Sequence, residues 1–95
     1  MEGFRYRVIT LPEAEKDILA YKKAGNKIAL ARIKRILEEL AVHPETGIGR
    51  PEMLKYEYTG FWSREIDKKN RMRYEIKETE VTVEVISAMY HYDDK

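Results

Sequence analysis

The sequence predicts an α+β domain: an N-terminal strand, a helical hairpin, then an antiparallel β-meander, with both helices on one face of the sheet. Three observations predict it. Apolar residues recur at helical spacing between Pro12 and His43. From Glu52 onward the period changes to two. Between these regions, "HPETGIGRPE" gathers two prolines and two glycines into one loop.

Each element has its own justification. "FRYRVITL", Phe4 to Leu11, is rich in β-branched and aromatic residues and is expected to be a strand that extends the sheet. Pro12 suits the first turn of a helix, where its missing N–H costs nothing. "PEAEKDILAYKKA" carries acids early and lysines late, which complements the helix dipole, and Gly25–Asn26 ends it. "NKIALARIKRILEELAVH" places Ala29, Ile33, Ile36, Leu37 and Leu40 on one face. "EMLKYEYTGFWSREI" is expected to be strand, bend at Gly60, strand; "DKKN" is a turn. "RMRYEIK" alternates, with Met72, Tyr74 and Ile76 on one face and Arg71, Arg73, Glu75 and Lys77 on the other. "ETE" is a second turn, and "VTVEVISAMYHY" is the last strand, with Val81, Val83 and Val85 facing one way. Pairing outward from the turn at 77–80 would set Arg71 near residues 86–87. There is no internal repeat or linker, so residues 1–95 are expected to form one domain.

Composition narrows the function. Without cysteine, the chain has no disulfide framework, no thiolate metal site and no cysteine nucleophile. No apolar run approaches the ~20 residues of a membrane span, and no signal peptide is visible, so a reducing cytoplasm is the expected compartment. The net charge is only +1. Charge is nevertheless uneven: Arg50, Lys55, Arg64, Lys68, Lys69, Arg71 and Arg73 oppose Glu52, Glu57, Glu65 and Asp67 between positions 50 and 73. A local positive field can therefore exist on a nearly neutral protein.

The meander could gather several polar groups at one end of its open side: Arg71 and Arg73 from one strand, Glu52 and Lys55 where the loop enters the sheet, His91 and Tyr92 at the chain end. Internal RNA cleavage needs a base for the 2′-hydroxyl, cations for the phosphorane and an acid for the 5′-oxygen. A carboxylate, arginines and a histidine fill those roles, and aromatic side chains can stack on unpaired bases. No metal cluster is offered, and no metal or cofactor is expected. Each residue also has a plainer reading. His91 between two tyrosines could close a strand end, Glu52 could cap a loop amide, and Arg71 could be a solvated charge. Trp62 is expected to be a packing anchor, and His43 has no visible partner.

Taken together, "GRPEMLK" (49–55), "TGFWSREI" (59–66), "NRMRY" (70–74) and "YHY" (90–92) resemble in order and spacing the YoeB (Txe/YoeB) toxins of the RelE/ParE toxin–antitoxin superfamily. The resemblance covers nearly the whole chain. It implies a metal-independent endoribonuclease that cleaves mRNA at the ribosomal A site. Glu52 would be the general base, Arg71 the transition-state stabiliser, His91 the general acid, and Tyr92 a group positioning phosphate or base. Lys55 would contact phosphate, and Arg50, Arg64 and Arg73 are expected to add RNA or ribosome contacts. An ordinary imidazole, with a pKa of about 6.5, is mostly neutral at pH 7, so the acid role requires a carboxylate or the phosphate to raise it. The implied partners are mRNA, the ribosome, a cognate antitoxin and a second copy through the helices; no membrane is involved. The chain departs from the family pattern at Glu65, at Asn70 and in its Asp93–Asp94–Lys95 tail. Two alternatives without this chemistry stay open: a ParE-like toxin, which the resemblance implies would bind DNA gyrase with the same fold, and a plain protein-binding sheet. Neither needs a base and an acid together.

Overall fold

A computed structural model describes residues 5–54 and 60–89; Lys55, His91 and Tyr92 lie outside the described residues, as do the rest of 55–59, 90–95 and 1–4. The elements are β1 (Arg7–Thr10), α1 (Pro12–Lys23), α2 (Lys27–Leu40), β2 (Glu52–Met53), β3 (Phe61–Glu65), β4 (Arg71–Lys77), a 3₁₀ turn (Glu78–Glu80) and β5 (Thr82–Ser87). The α+β order matches the expectation. The five strands form one sheet in the order β1-β5-β4-β3-β2. The sheet is mixed, because β1 joins it parallel to β5 while the meander is antiparallel.

Local chemistry explains the helices. Pro12 opens α1, Glu13 and Glu15 fill its first turn and Lys22 and Lys23 its last. Asn26 caps α2 by accepting the Ala29 N–H at 3.1 Å. The buried stripe of α2 is Ala29, Ile33, Ile36 and Leu40, and the helix stops at Leu40 rather than running to His43. With Ala14 and Tyr21 of α1, these side chains form one core against Met72, Tyr74, Val83 and Val85. Each fully buried aliphatic side chain contributes roughly 1.5–3 kcal/mol.

Three expectations about the last hairpin need correction. Val81 lies outside β5, in the left-handed region at φ 49°, and closes the turn by donating its N–H to Glu78. The turn is thus one residue longer than the sequence suggested, and Lys77 faces Thr82. An irregularity after Arg73 shifts the ladder again, so Arg73 faces Ser87. Arg71 therefore lies level with the chain beyond β5, not with residues 86–87. β5 itself ends at Ser87, short of the predicted strand end at Tyr92.

Candidate active site

Directly opposed strand residues point to the same face of a sheet. Glu52 faces Ser63, Ser63 faces Arg73, and Arg73 faces Ser87, so these four form one row across β2, β3, β4 and β5. At ~4.8 Å per strand, the row spans roughly 14 Å. It lies on the side away from Met72, Tyr74, Val83 and Val85, which the helices cover. One step nearer the rim, Glu65 faces Arg71.

Arg71 draws this row together. Its Nε donates to Ser63 Oγ at 3.0 Å and its Nη2 to Glu52 Oε1 at 3.3 Å. The Glu52 side chain is 68% exposed and that of Arg71 21%, so the pair meets solvent on its Glu52 side. Two of the residues proposed from sequence for chemistry are thus in contact. Arg73 lies half-buried beside them, and Arg50 is exposed in the loop that leads to Glu52.

Arg64, expected among the RNA contacts, is instead wholly buried and has another use. It lies on the helix side of β3, facing Met72. Its Nη1 donates to Glu39 Oε1 at 2.8 Å and to the Ile48 carbonyl at 3.3 Å. Its Nη2 donates to the carbonyls of His43 (2.6 Å) and Thr46 (2.8 Å), and its Nε to the Tyr74 hydroxyl (3.1 Å). A guanidinium is the side chain suited to so many fixed donors. The result is a clamp that folds the 43–48 loop over a buried ion pair. Gly47 passes so close that a Cβ there would collide with Glu39 Oε1, and one at Gly49 would stand 2.8 Å from the Glu65 carbonyl. Both glycines also have positive φ. Burial pushes the Glu39 carboxyl up, but the Ile48 amide, the Arg64 hydrogen bond and the charges of Arg64 and Arg35 outweigh it, leaving the pKa below the ordinary value.

At the other end of the row, α1 holds the chain just before His91. Asp17 Oδ2 accepts the N–H groups of Ala88 (2.9 Å) and Met89 (3.2 Å), and the Tyr21 hydroxyl donates to the Ala88 carbonyl at 2.8 Å. Sequence reasoning missed this anchor. Its signal was present: Asp17 and Tyr21 follow Ala14 at i+3 and i+7, so an acid stands on the buried stripe of α1. Ser63 was missed too, although alternation along β3 puts it on the face of Glu52 and Arg73. Among the described residues, no helix is long and apolar enough to cross a membrane.

Comparison with known proteins agrees with this architecture. A family model described as the YoeB-like toxin of bacterial type II toxin–antitoxin systems matches residues 11–92. Toxin YoeB of Mycobacterium bovis is 42% identical over 81 residues, covering 85% of this chain and 92% of that protein. The YoeB dimer from Staphylococcus aureus superposes with a TM-score of 0.79 at 28% identity, and the YoeB–YefM complex from the same organism with 0.77 at 29%; each match covers 93% of this chain and 99% of the other. Motif order, sheet topology and these matches converge: the chain belongs to the YoeB family of toxins of bacterial type II toxin–antitoxin systems.

Proposed function

We propose that this toxin is a ribosome-dependent endoribonuclease that cleaves mRNA at the A site and so inhibits translation. The observation that carries the reading is the Glu52–Arg71 contact on the open sheet face, in line with the strand end that leads to His91. Glu52 takes the proton of the 2′-hydroxyl as that oxygen attacks the adjacent phosphorus. Arg71 stabilises the added negative charge of the phosphorane. The bond from phosphorus to the 5′-oxygen breaks, and His91 donates a proton to the departing oxygen. The products are a 2′,3′-cyclic phosphate and a 5′-hydroxyl. Tyr92 positions the phosphate or base, while Lys55, Arg50 and Arg73 hold flanking RNA or ribosome. Arg64 is no longer in that group, because its donors are used inside the protein.

The partners follow from the same reading. Relatives are described as a YoeB dimer and as a YoeB–YefM complex. This toxin is accordingly expected to self-associate and to be neutralised in the cytoplasm by a cognate antitoxin whose helix or strand covers the open face.

The deciding experiment incubates purified toxin with translating ribosomes and maps RNA ends. Cleavage within the A-site codon is expected, lost in Glu52→Ala, Arg71→Ala and His91→Ala while each variant still binds ribosomes. A His91 pKa well below 6 by NMR titration would count against the acid role. Intact messages together with failed DNA supercoiling would replace this reading with gyrase binding.

A further inference from the structure

From the geometry around Arg71 we infer that Ser63 is a positioning residue: its hydroxyl accepts the Arg71 Nε–H and fixes the direction in which the guanidinium presents its remaining donors. The inference rests on the proposed reading for its catalytic consequence, but not for the contact itself.

Ser63 is 2% exposed and lies between Glu52 and Arg73 in the cross-strand row. Arg71 Nε stands 3.0 Å from its Oγ. An arginine side chain has five N–H donors in one plane. Ser63 takes the Nε–H and Glu52 takes one on Nη2, which leaves three that meet no other described residue. The two holds differ in kind. Glu52 is largely exposed and must let go of Arg71 when it takes a proton and the phosphate arrives. Ser63 is buried in the sheet and can keep its hydrogen bond throughout. Fixing Nε fixes the plane of the guanidinium, because all five donors share it. A lysine at this position, with rotatable donors on one atom, could not be held this way.

The test combines NMR of the Arg71 side chain with single-turnover RNA cleavage on saturating ribosomes. In the wild-type toxin the Arg71 Nε–H should exchange with water at least about tenfold more slowly than an exposed arginine. In Ser63→Ala that protection should vanish. Cleavage should slow by roughly tenfold with ribosome affinity unchanged, and Ser63→Thr, which keeps the hydroxyl, should restore both. In an Arg71→Lys background, which lacks the Nε–H, Ser63→Ala should slow cleavage no further, since the two residues act as one unit. A wild-type Nε–H that exchanges as fast as an exposed one would overturn the inference. So would an equal slowing by Ser63→Ala in the wild-type and Arg71→Lys backgrounds. If the wild type cleaves nothing, the proposed function fails, while the exchange measurement still decides whether Ser63 holds Arg71.

Discussion

The guanidinium of Arg71 reaches across the sheet to the carboxylate of Glu52, with Nη2 3.3 Å from Oε1; the Glu52 side chain is largely exposed and that of Arg71 mostly covered. The proposed base and the proposed phosphate ligand thus hold each other until RNA separates them. An exposed pair of this kind contributes only ~0–1 kcal/mol to stability. Glu52→Ala should therefore shift the unfolding free energy by less than about 1 kcal/mol. A positioned proton acceptor is worth ~10²–10⁴ in rate, so cleavage should fall by that factor. Urea unfolding and single-turnover cleavage, measured on one preparation, separate the two effects. Loss of both together would mean that Glu52 is structural.

Arg64 predicts the opposite pattern. Its removal would leave the Glu39 carboxylate, three loop carbonyls and the Tyr74 hydroxyl without the donor that joins them. Breaking a buried ion pair from one side costs ~3–5 kcal/mol, against a total of ~5–15 for a typical domain. Arg64→Ala should be severely destabilised or unfolded in urea titration. Arg64→Lys keeps the charge but not the fork, and should fall between.

How much of this was legible in the sequence depends on the range of the interactions. Period and turn chemistry are local, so the helices, β3, β4 and the order of elements followed from residue spacing. Glu52 and Arg71 were singled out by type and motif, and alternation suggested only that they could gather at one end of the sheet; their contact was seen in the structure alone. Register was harder. Val81 in the left-handed region and the irregularity after Arg73 each add to the offset, and neither has a strong sequence signature. Arg64 was misjudged because a charge in a basic stretch is usually solvated. Its face on β3 was readable, but the carbonyls that receive it come from a loop closed by tertiary packing. Asp17 shows the same limit, since its partners lie 71 and 72 residues away.

The anchor at the chain end gives a third prediction. Tyr21→Phe removes the donor to the Ala88 carbonyl and should cost ~1–3 kcal/mol, the penalty for an unsatisfied buried acceptor. Asp17→Asn should weaken the hold on the Ala88 and Met89 amides. In both variants these two amides should exchange hydrogen faster than the amides in the middle of β5. Burial first, then the charges of Asp67 and Asp17, push the Tyr21 phenol up to about 12. Its folded pKa lies above the unfolded value of ~10, so the neutral phenol's contribution is full below about pH 10 and lost as pH rises through about 12. Tyr21→Phe should abolish that part of the alkaline loss.

At low pH the carboxylates govern stability. Glu39 and Asp67 are each pushed up most by burial, yet several smaller opposing contacts together hold them below their ordinary values. For Glu39 these are the Ile48 amide and Arg64, then the charge of Arg35; for Asp67, the Lys69 and Asn70 amides and the Asn70 side chain, then the charge of Lys69. The unfolded chain therefore takes up protons at a higher pH than the folded one. The stabilising contribution is full above the unfolded values, about pH 4–4.5, and is lost as pH falls through the lower folded values. Unfolding free energy should stay level from pH 7 to about 5 and drop below about 4.5. Glu39→Gln should lower stability at pH 7, since the neutral amide pairs poorly with buried Arg64. It should also flatten the drop, so that mutant and wild type converge in acid. If the gap between the two stayed constant from neutral pH into acid, Glu39 would not be the group whose protonation loosens the loop.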